Sequence, residues 1–216
     1  MDLERMDDFF AARVEGYDEH MIANVEGCKE AYPLVAELVP QDAKNLLDLG
    51  CGTGLELDYI FPLHPRLAVT GIDLTKKMLE KLKAKHPDKA LTLICDDYFA
   101  ADFGKERFDC AVSFETMHHF EKEKKTALYA RVCEALGNGG IYIECDYMVD
   151  TQEEENHWFA ENERFRKEAQ IPEGVYCHYD TPCTVENQLT MFRNAGFSSA
   201  EHIFRKGGTS IIIAKK

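Results

Sequence analysis

The chain has 216 residues, 45% apolar and 30% charged, with a formal net charge of −14. That length favours one domain, and the composition excludes disorder and collagen-like repeats. No apolar run approaches the ~18 residues of a membrane span, the acidic start MDLERMDDFF reads as neither a secretory nor a transit signal, and 39 acids against 25 bases leave no electrostatic footprint for nucleic acid; a cytoplasmic protein without membrane or nucleic-acid partners is expected.

Helical spacing of Phe9, Phe10, Val14, Tyr17, Met21, Ile22 and Val25 predicts an N-terminal helical segment ending near Pro40. Strand-like and helix-like stretches then alternate. Strands are expected at 45–49, 67–72, 90–95, 108–114 and 141–148; helices are expected at 55–61 (stopped by Pro62), 75–86 (closed by Pro87) and 122–136. Residues 184–195 read as a helix with Thr184 as its N-cap and Gly196 just past its end. The runs 200–205 and 210–214 flank Lys206-Gly207-Gly208 as a hairpin. Such alternation predicts an α/β fold, a doubly wound and mainly parallel sheet with helices on both faces and one antiparallel strand from the closing hairpin.

The stretch 150–182 breaks the alternation. It is long for a connection, and its first part, 153–170, can be a helix with Trp158, Phe159 and Phe165 on one side. Residues 1–26 carry eight acids and two bases, and residues 150–173 eight acids and three bases, so these two segments hold −11 of the −14. One domain, 1–216, is expected, with the N-terminal segment 1–40 and the insertion 150–182 forming a small helical cap. The eight cysteines include no C-x-x-C pair and read mostly as reduced, buried small hydrophobes.

The sharpest feature is Leu46-Leu47-Asp48-Leu49-Gly50-Cys51-Gly52-Thr53-Gly54, an apolar strand running into three alternate glycines before a helix. Glycines there permit a tight turn and close approach of a ligand to the main chain, and the helix start offers unpaired N–H groups. A dinucleotide fingerprint would need glycine where Leu55 stands, and a P-loop would need Gly-Lys-Ser/Thr, which is absent. The next strand ends in Gly71-Ile72-Asp73, its acid 19 residues past Gly54, placed to accept hydrogen bonds from both hydroxyls of a ribose. The constellation points to a nucleoside cofactor.

The run Asp48-x-Gly50-x-Gly52-x-Gly54 resembles motif I of the class I, Rossmann-like S-adenosylmethionine-dependent methyltransferases of small-molecule type. The resemblance continues in order through Gly71-Ile72-Asp73, Cys95-Asp96-Asp97-Tyr98, Phe108–Ser113, Met117-His118-His119-Phe120 and Leu136-Gly137-Asn138-Gly139-Gly140, covering roughly residues 45–147. It implies a seven-stranded sheet and a methyl group passing from S-adenosylmethionine, by in-line displacement, to a small-molecule acceptor, leaving S-adenosylhomocysteine. Carried over, Gly50, Cys51 and Gly52 approach the methionine moiety and Asp48 helps anchor its amino group. Asp73 holds the ribose and Leu74 packs on the adenine. Asp97, or its neighbour Asp96, meets the adenine amino group beside the Tyr98 backbone, Ser113 and Phe114 line the methionine end, and Tyr17 lies over the cofactor.

The acceptor side is less marked. His118 and His119 follow the fourth strand, and Glu144 and Asp146 share one face of the fifth with Cys145 on the other. A cluster drawn from His119, Asp146, His178 and Tyr179 is the candidate for orienting or deprotonating the acceptor. His118, His119, Asp146, His157, His178 and Cys183 are ligand types without a compact spacing signature, so no metal is expected. A non-catalytic S-adenosylmethionine-binding module and, less favoured because of Leu55, a nicotinamide-dependent oxidoreductase are the alternatives.

Overall fold

A computed structural model describes residues 3–216. The glycine loop and its flanking acids sit at one edge of a sheet because five parallel strands end there. These are β1 (Asn45–Leu49), β2 (Ala68–Asp73), β3 (Leu91–Cys95), β4 (Phe108–Phe114) and β5 (Leu136–Val149). With β7 (Ser199–Lys206) and β8 (Thr209–Lys215) they follow the order β3-β2-β1-β4-β5-β8-β7, and β8 is antiparallel to both its neighbours. An eighth, two-residue strand, β6 (Cys183–Thr184), pairs in parallel with Met148 and Val149 at the far end of β5. Strand order reverses between β1 and β4, the place where open α/β sheets form a crevice for ligands.

Successive strand side chains point to opposite faces, so each buried strand feeds two cores. Leu47, Leu49, Ala111 and Tyr142 join Leu128, Tyr129 and Val132 of α6 (Lys122–Ala135) and Met191 and Phe192 of α8 (Val185–Asn194). On the other face Leu46, Val69, Val112 and Ile143 meet Tyr32 and Val35 of α3 (Cys28–Leu38), Leu57 and Ile60 of α4 (Leu55–Leu63), and Leu79 and Leu82 of α5 (Lys76–Lys85). The predicted cap on α8 is present: the Thr184 hydroxyl accepts from the Asn187 N–H. Boundaries differ in places: β5 begins at Leu136, five residues before the expected 141, directly after α6 ends at Ala135. Helix α4 runs through Pro62 to Leu63, because a proline in the last turn removes only one hydrogen bond, and the His64 N–H closes the end on the Ile60 carbonyl.

The two acidic segments meet over the carboxyl edge. The first supplies α1 (Met6–Arg13) and α2 (Tyr17–Asn24), and the insertion supplies α7 (Gln152–Glu168). Helix α7 starts in a capping box made by Thr151 and Glu154. Glu155, wholly buried, ties the helix to the body by accepting from Lys122 Nζ at 2.7 Å, the Thr184 N–H at 2.7 Å and Asn187 Nδ2 at 2.8 Å. Beyond α7 the chain returns beside the N-terminus: Arg5 and Cys177 form an antiparallel bridge, the Met6 N–H donates to the Tyr176 carbonyl, and the His178 N–H donates to the Glu4 carbonyl. All eight cysteines are free, and only Cys95 is exposed.

Candidate functional site

The glycine loop adopts left-handed backbone at Gly50 (φ 71°), Gly52 (φ 46°) and Gly54 (φ 70°), a conformation that favours glycine at each. A Cβ on Gly50 would lie 2.5 Å from Thr116 Oγ1, whereas one on Gly52 would meet nothing nearer than 3.9 Å, so the loop packs at its first glycine and is open at its second. Asp73, at the tip of β2, accepts from the Gly52 N–H at 2.9 Å and the Thr75 N–H at 2.7 Å, which fixes its carboxylate beside the loop. Burial pushes its pKa up to about 6 against those two donors. Asp48 lies under the loop with Oδ2 buried and unpartnered. Burial and the nearby Glu56 raise its pKa, and burial pushes Glu56 up to about 7.

An orphaned carboxylate oxygen, an open glycine and a ribose-height carboxylate in one crevice fit S-adenosylmethionine, which brings an ammonium group, a sulfonium and two vicinal hydroxyls. The other predicted cofactor contacts divide. Leu74 is exposed at the adenine end. Asp97 accepts from the Phe99 N–H at 2.8 Å and from Tyr176 Oη at 3.0 Å, so the insertion directly reaches the acid that the resemblance assigns to the adenine. Asp96 is exposed and takes the Asp97 N–H at 2.8 Å. The Tyr98 ring is buried, with its hydroxyl 3.1 Å from Thr116 Oγ1. Cys51 is buried against Gly71, so only its backbone joins the loop. The Ser113 and Phe114 side chains do not reach the crevice: Ser113 is wholly buried with its hydroxyl 2.6 Å from Tyr142 Oη, and the Phe114 ring stacks on Tyr32 at 3.8 Å.

Beside the crevice lies a cavity of about 770 Å³, walled by Phe9, Phe10 and Tyr17 of the N-terminal segment and by Glu115, His118, His119, His178 and Asp180. Tyr17 joins the two regions. Its hydroxyl pKa is driven up by burial and by the carboxylates of Glu56, Glu115 and Asp73, which lie on both sides of it. The next residue, Asp18, accepts from the Thr53 hydroxyl of the glycine loop and from Lys85 Nζ at 3.1 Å, holding α2 against the cofactor side.

At the cavity floor the histidines pair differently from expectation. His118, not His119, meets Asp146: Nδ1 stands 2.7 Å from Asp146 Oδ1. His119 Nδ1 lies 3.3 Å from Asp180 Oδ1. The reason is the 3-10 turn Met117–His119 that follows β4, which turns successive side chains in different directions. Glu115 precedes that turn in left-handed backbone (φ 48°), and its Oε2 lies 3.6 Å from His118 Nδ1. Tyr179 does not bring its hydroxyl to the cluster. Its ring packs on Trp158 and Phe165, and only its carbonyl faces His119, 3.4 Å from Nδ1. His178 does line the cavity, stacked on Phe9 at 3.6 Å. Burial pushes His178 down to about 4 and lowers His119 as well, so both imidazoles are neutral near pH 7. Burial pushes Glu115 and Asp146 each up to about 7.

The residues missed were Glu115, Asp180 and Tyr176, together with His118 as the partner of Asp146. A signal for Glu115 existed in the spacing Glu115-x-x-His118-His119. None existed for Tyr176, whose contact is with a residue 79 positions away.

Comparisons with known proteins agree with this architecture. Residues 46–140 match the family model described as a methyltransferase domain. A malonyl-[acyl-carrier protein] O-methyltransferase of Anoxybacillus flavithermus is 29% identical over 126 residues, 58% of this chain and 47% of that protein. A carboxy-S-adenosyl-L-methionine synthase of Helicobacter hepaticus is 25% identical over 239 residues, 100% of this chain and 97% of that protein. The solved structure of an O-methyltransferase family protein from Burkholderia thailandensis superposes with a TM-score of 0.72 at 16% identity, covering 98% of this chain and 63% of that one. The chain thus spans about half of the first relative's length and nearly the whole of the second's. Residues 46–140 are thus similar to a methyltransferase domain, on the fold of the Rossmann-like S-adenosylmethionine-dependent methyltransferases. S-adenosylmethionine is the cofactor of that class.

Proposed function

We propose that the chain transfers the methyl group of S-adenosylmethionine to a small-molecule acceptor held in the cavity beneath α1 and α2. The observation that carries this reading is the junction of the two regions. Glu115 lines the cavity while the next residue, Thr116, packs against Gly50 of the cofactor loop. An acceptor in the cavity would therefore face the methionine end of the crevice, as in-line displacement requires.

The cofactor supplies an electrophilic methyl group, and the chain's own residues align, enclose and adjust protons. Alignment and exclusion of water can supply ~7–11 kcal/mol of the barrier in favourable cases. Aromatic walls from Phe9, Phe10 and Tyr17 serve the exclusion, and the paired imidazoles and carboxylates at the floor serve an acceptor that must lose a proton. Among the described residues, four acids line the cavity (Glu15, Glu26, Glu115 and Asp180) against one arginine, Arg13, which favours neutral or cationic acceptors. A polynucleotide would meet the same acidity across both cap segments, so nucleic acid is no part of the proposal.

A second reading draws on the full-length match to a carboxy-S-adenosyl-L-methionine synthase. That product carries a carboxylate, and the acidic lining argues against seating one. Incubation with S-adenosylmethionine and panels of amines, phenols, thiols and carboxylates tests both. Release of S-adenosylhomocysteine with an acceptor gaining 14 mass units, the ~14 Da of one CH₂, supports methyl transfer. A carboxylated cofactor, or binding of S-adenosylhomocysteine with no turnover on any panel, overturns it.

A further inference from the structure

Two histidines and an aspartate from distant segments converge on one point of the cavity floor. His119 Nδ1 lies 3.3 Å from Asp180 Oδ1, and His118 Nε2 lies 3.6 Å from the same oxygen. One donor atom from each of the three lies within 4.8 Å of the other two. Ligands ~2.0–2.1 Å from a tetrahedral ion stand ~3.3–3.4 Å apart, close to the separations found. We propose that His118, His119 and Asp180 bind one divalent transition-metal ion, of the zinc, cobalt, nickel or iron kind, with its remaining positions open to the cavity.

Three further features support this assignment. His118 turns its other nitrogen, Nδ1, to the buried Asp146 at 2.7 Å, the arrangement in which a carboxylate fixes the tautomer and orientation of a ligating imidazole. Asp180 is held over the imidazoles by its neighbour: the Thr181 N–H and hydroxyl both donate to the His118 carbonyl, at 2.5 and 3.0 Å. The donor set is thereby built by the backbone, without help from an ion. Charge also asks for a cation. Glu115, Asp146 and Asp180 surround the pair of imidazoles, and among the described residues the Asp180 carboxylate has ion-pair partners only in His118 and His119.

A second grouping, Glu115, His118 and Asp146, is also compact. It would need His118 Nδ1, which is already committed to Asp146, so the ion belongs on the Nε2 side. Two imidazoles with one carboxylate suit zinc and its first-row neighbours better than magnesium or calcium, which prefer all-oxygen sets. Facing the cavity, the ion would bind the acceptor's oxygen or nitrogen and lower its pKa, so that its proton passes to water in the cavity. The freed lone pair then forms the bond to the methyl carbon as the sulfonium S–CH₃ bond breaks and S-adenosylhomocysteine leaves. That consequence rests on the proposed function; the ion site itself does not.

Titrating the chelator-treated full chain with Co²⁺, by calorimetry and visible absorption, tests the site. One equivalent should bind with a d–d band of four- or five-coordinate cobalt, Zn²⁺ should displace it, and millimolar Mg²⁺ should not. Asp180→Asn and His119→Ala should abolish the band. Asp146→Asn should weaken the ion about 10- to 100-fold while keeping the same spectrum, an effect that loss of folding would not mimic, and His157→Ala should change nothing. Wild-type protein that takes up neither Co²⁺ nor Zn²⁺, or an undiminished band in Asp180→Asn, overturns the site. S-adenosylhomocysteine binding measured on the same chelated sample separates the two proposals: its failure would sink the methyltransferase reading and leave the metal result standing.

Discussion

The glycine-loop crevice and the neighbouring cavity share a wall, and both are acidic, but only the cavity sets imidazoles among its carboxylates. Three buried carboxylates, Asp48, Glu56 and Asp73, lie around the glycine loop, and burial raises all three. The cavity floor interleaves His118, His119 and His178 with Glu115, Asp146 and Asp180. Carboxylates held at high energy by desolvation suit a ligand that arrives with its own positive charge and hydroxyl donors. Alternating imidazoles and carboxylates suit a ligand whose protonation must change. Under the proposed function, the difference suits the crevice to holding the cofactor and the cavity to moving a proton on the acceptor.

Breaking the cavity side alone should give the largest effect. His118→Ala removes the imidazole that Asp146 orients and should cut turnover about 10²–10⁴-fold with S-adenosylhomocysteine affinity unchanged by calorimetry. Equal losses in affinity and turnover would mean that the two regions do not divide the work in this way.

Breaking the crevice side comes next. Asp73→Ala should weaken cofactor binding by ~1.5–3 kcal/mol, about 10- to 150-fold, as expected for losing a charged hydrogen-bond acceptor. A variant that binds normally would show that the ribose is held elsewhere.

The two regions also titrate differently. If Asp73 holds the ribose it must be ionised to accept from both hydroxyls, and burial places its pKa at about 6. Cofactor affinity should therefore hold above pH 6 and fall up to tenfold per unit below it, and Asp73→Asn should remove that slope. Stability of the free chain runs the other way. A carboxyl raised in the folded state binds a proton that the unfolded chain has lost above its ordinary ~3.9, so its contribution is full below that value and is lost as pH rises through about 6. Thermal unfolding of wild type and Asp73→Asn between pH 4 and 7 reads that sign, using a window set by ~3.9 and the folded pKa.

The crevice was legible in sequence and the cavity was not, for a physical reason. Asp48, Gly50, Gly52 and Asp73 are placed by two consecutive parallel strands whose register, Asp48 beside Gly71 and Leu49 beside Ile72, brings neighbouring motifs together. The alternation of strands and helices and the closing hairpin were readable on the same local grounds. The cavity instead draws on residues 9–26, 115–119, 147, 178–180 and 208–209, whose meeting depends on an insertion bridging back to the N-terminus through Arg5 and Cys177. Adjacent histidines carry no sign of which one a strand neighbour will meet, so His119 was matched to Asp146 where the 3-10 turn delivers His118. Ser113 shows the converse failure: its position in a motif placed it at the cofactor, but its hydroxyl is spent on Tyr142 inside the sheet.

The smallest expected effect sharpens where the two regions touch. Tyr176 belongs to the insertion, yet its hydroxyl donates to Asp97 at 3.0 Å, and the adjoining Cys177 bridges to Arg5 of the N-terminal segment. One hydrogen bond therefore couples the adenine-side acid to both halves of the cap. If the cap closes with cofactor, residues 3–26 and 150–182 should exchange backbone hydrogens more slowly when S-adenosylhomocysteine and acceptor are added. Tyr176→Phe removes the hydroxyl and leaves the ring against Phe99 and Phe120, so the cost should be about 0.5–1.5 kcal/mol, one partly exposed hydrogen bond. The variant should retain its fold and lose much of the added protection in 172–182, with cofactor affinity reduced no more than about tenfold. Full protection in Tyr176→Phe would show that the cap closes on the acceptor alone and takes no signal from the adenine end.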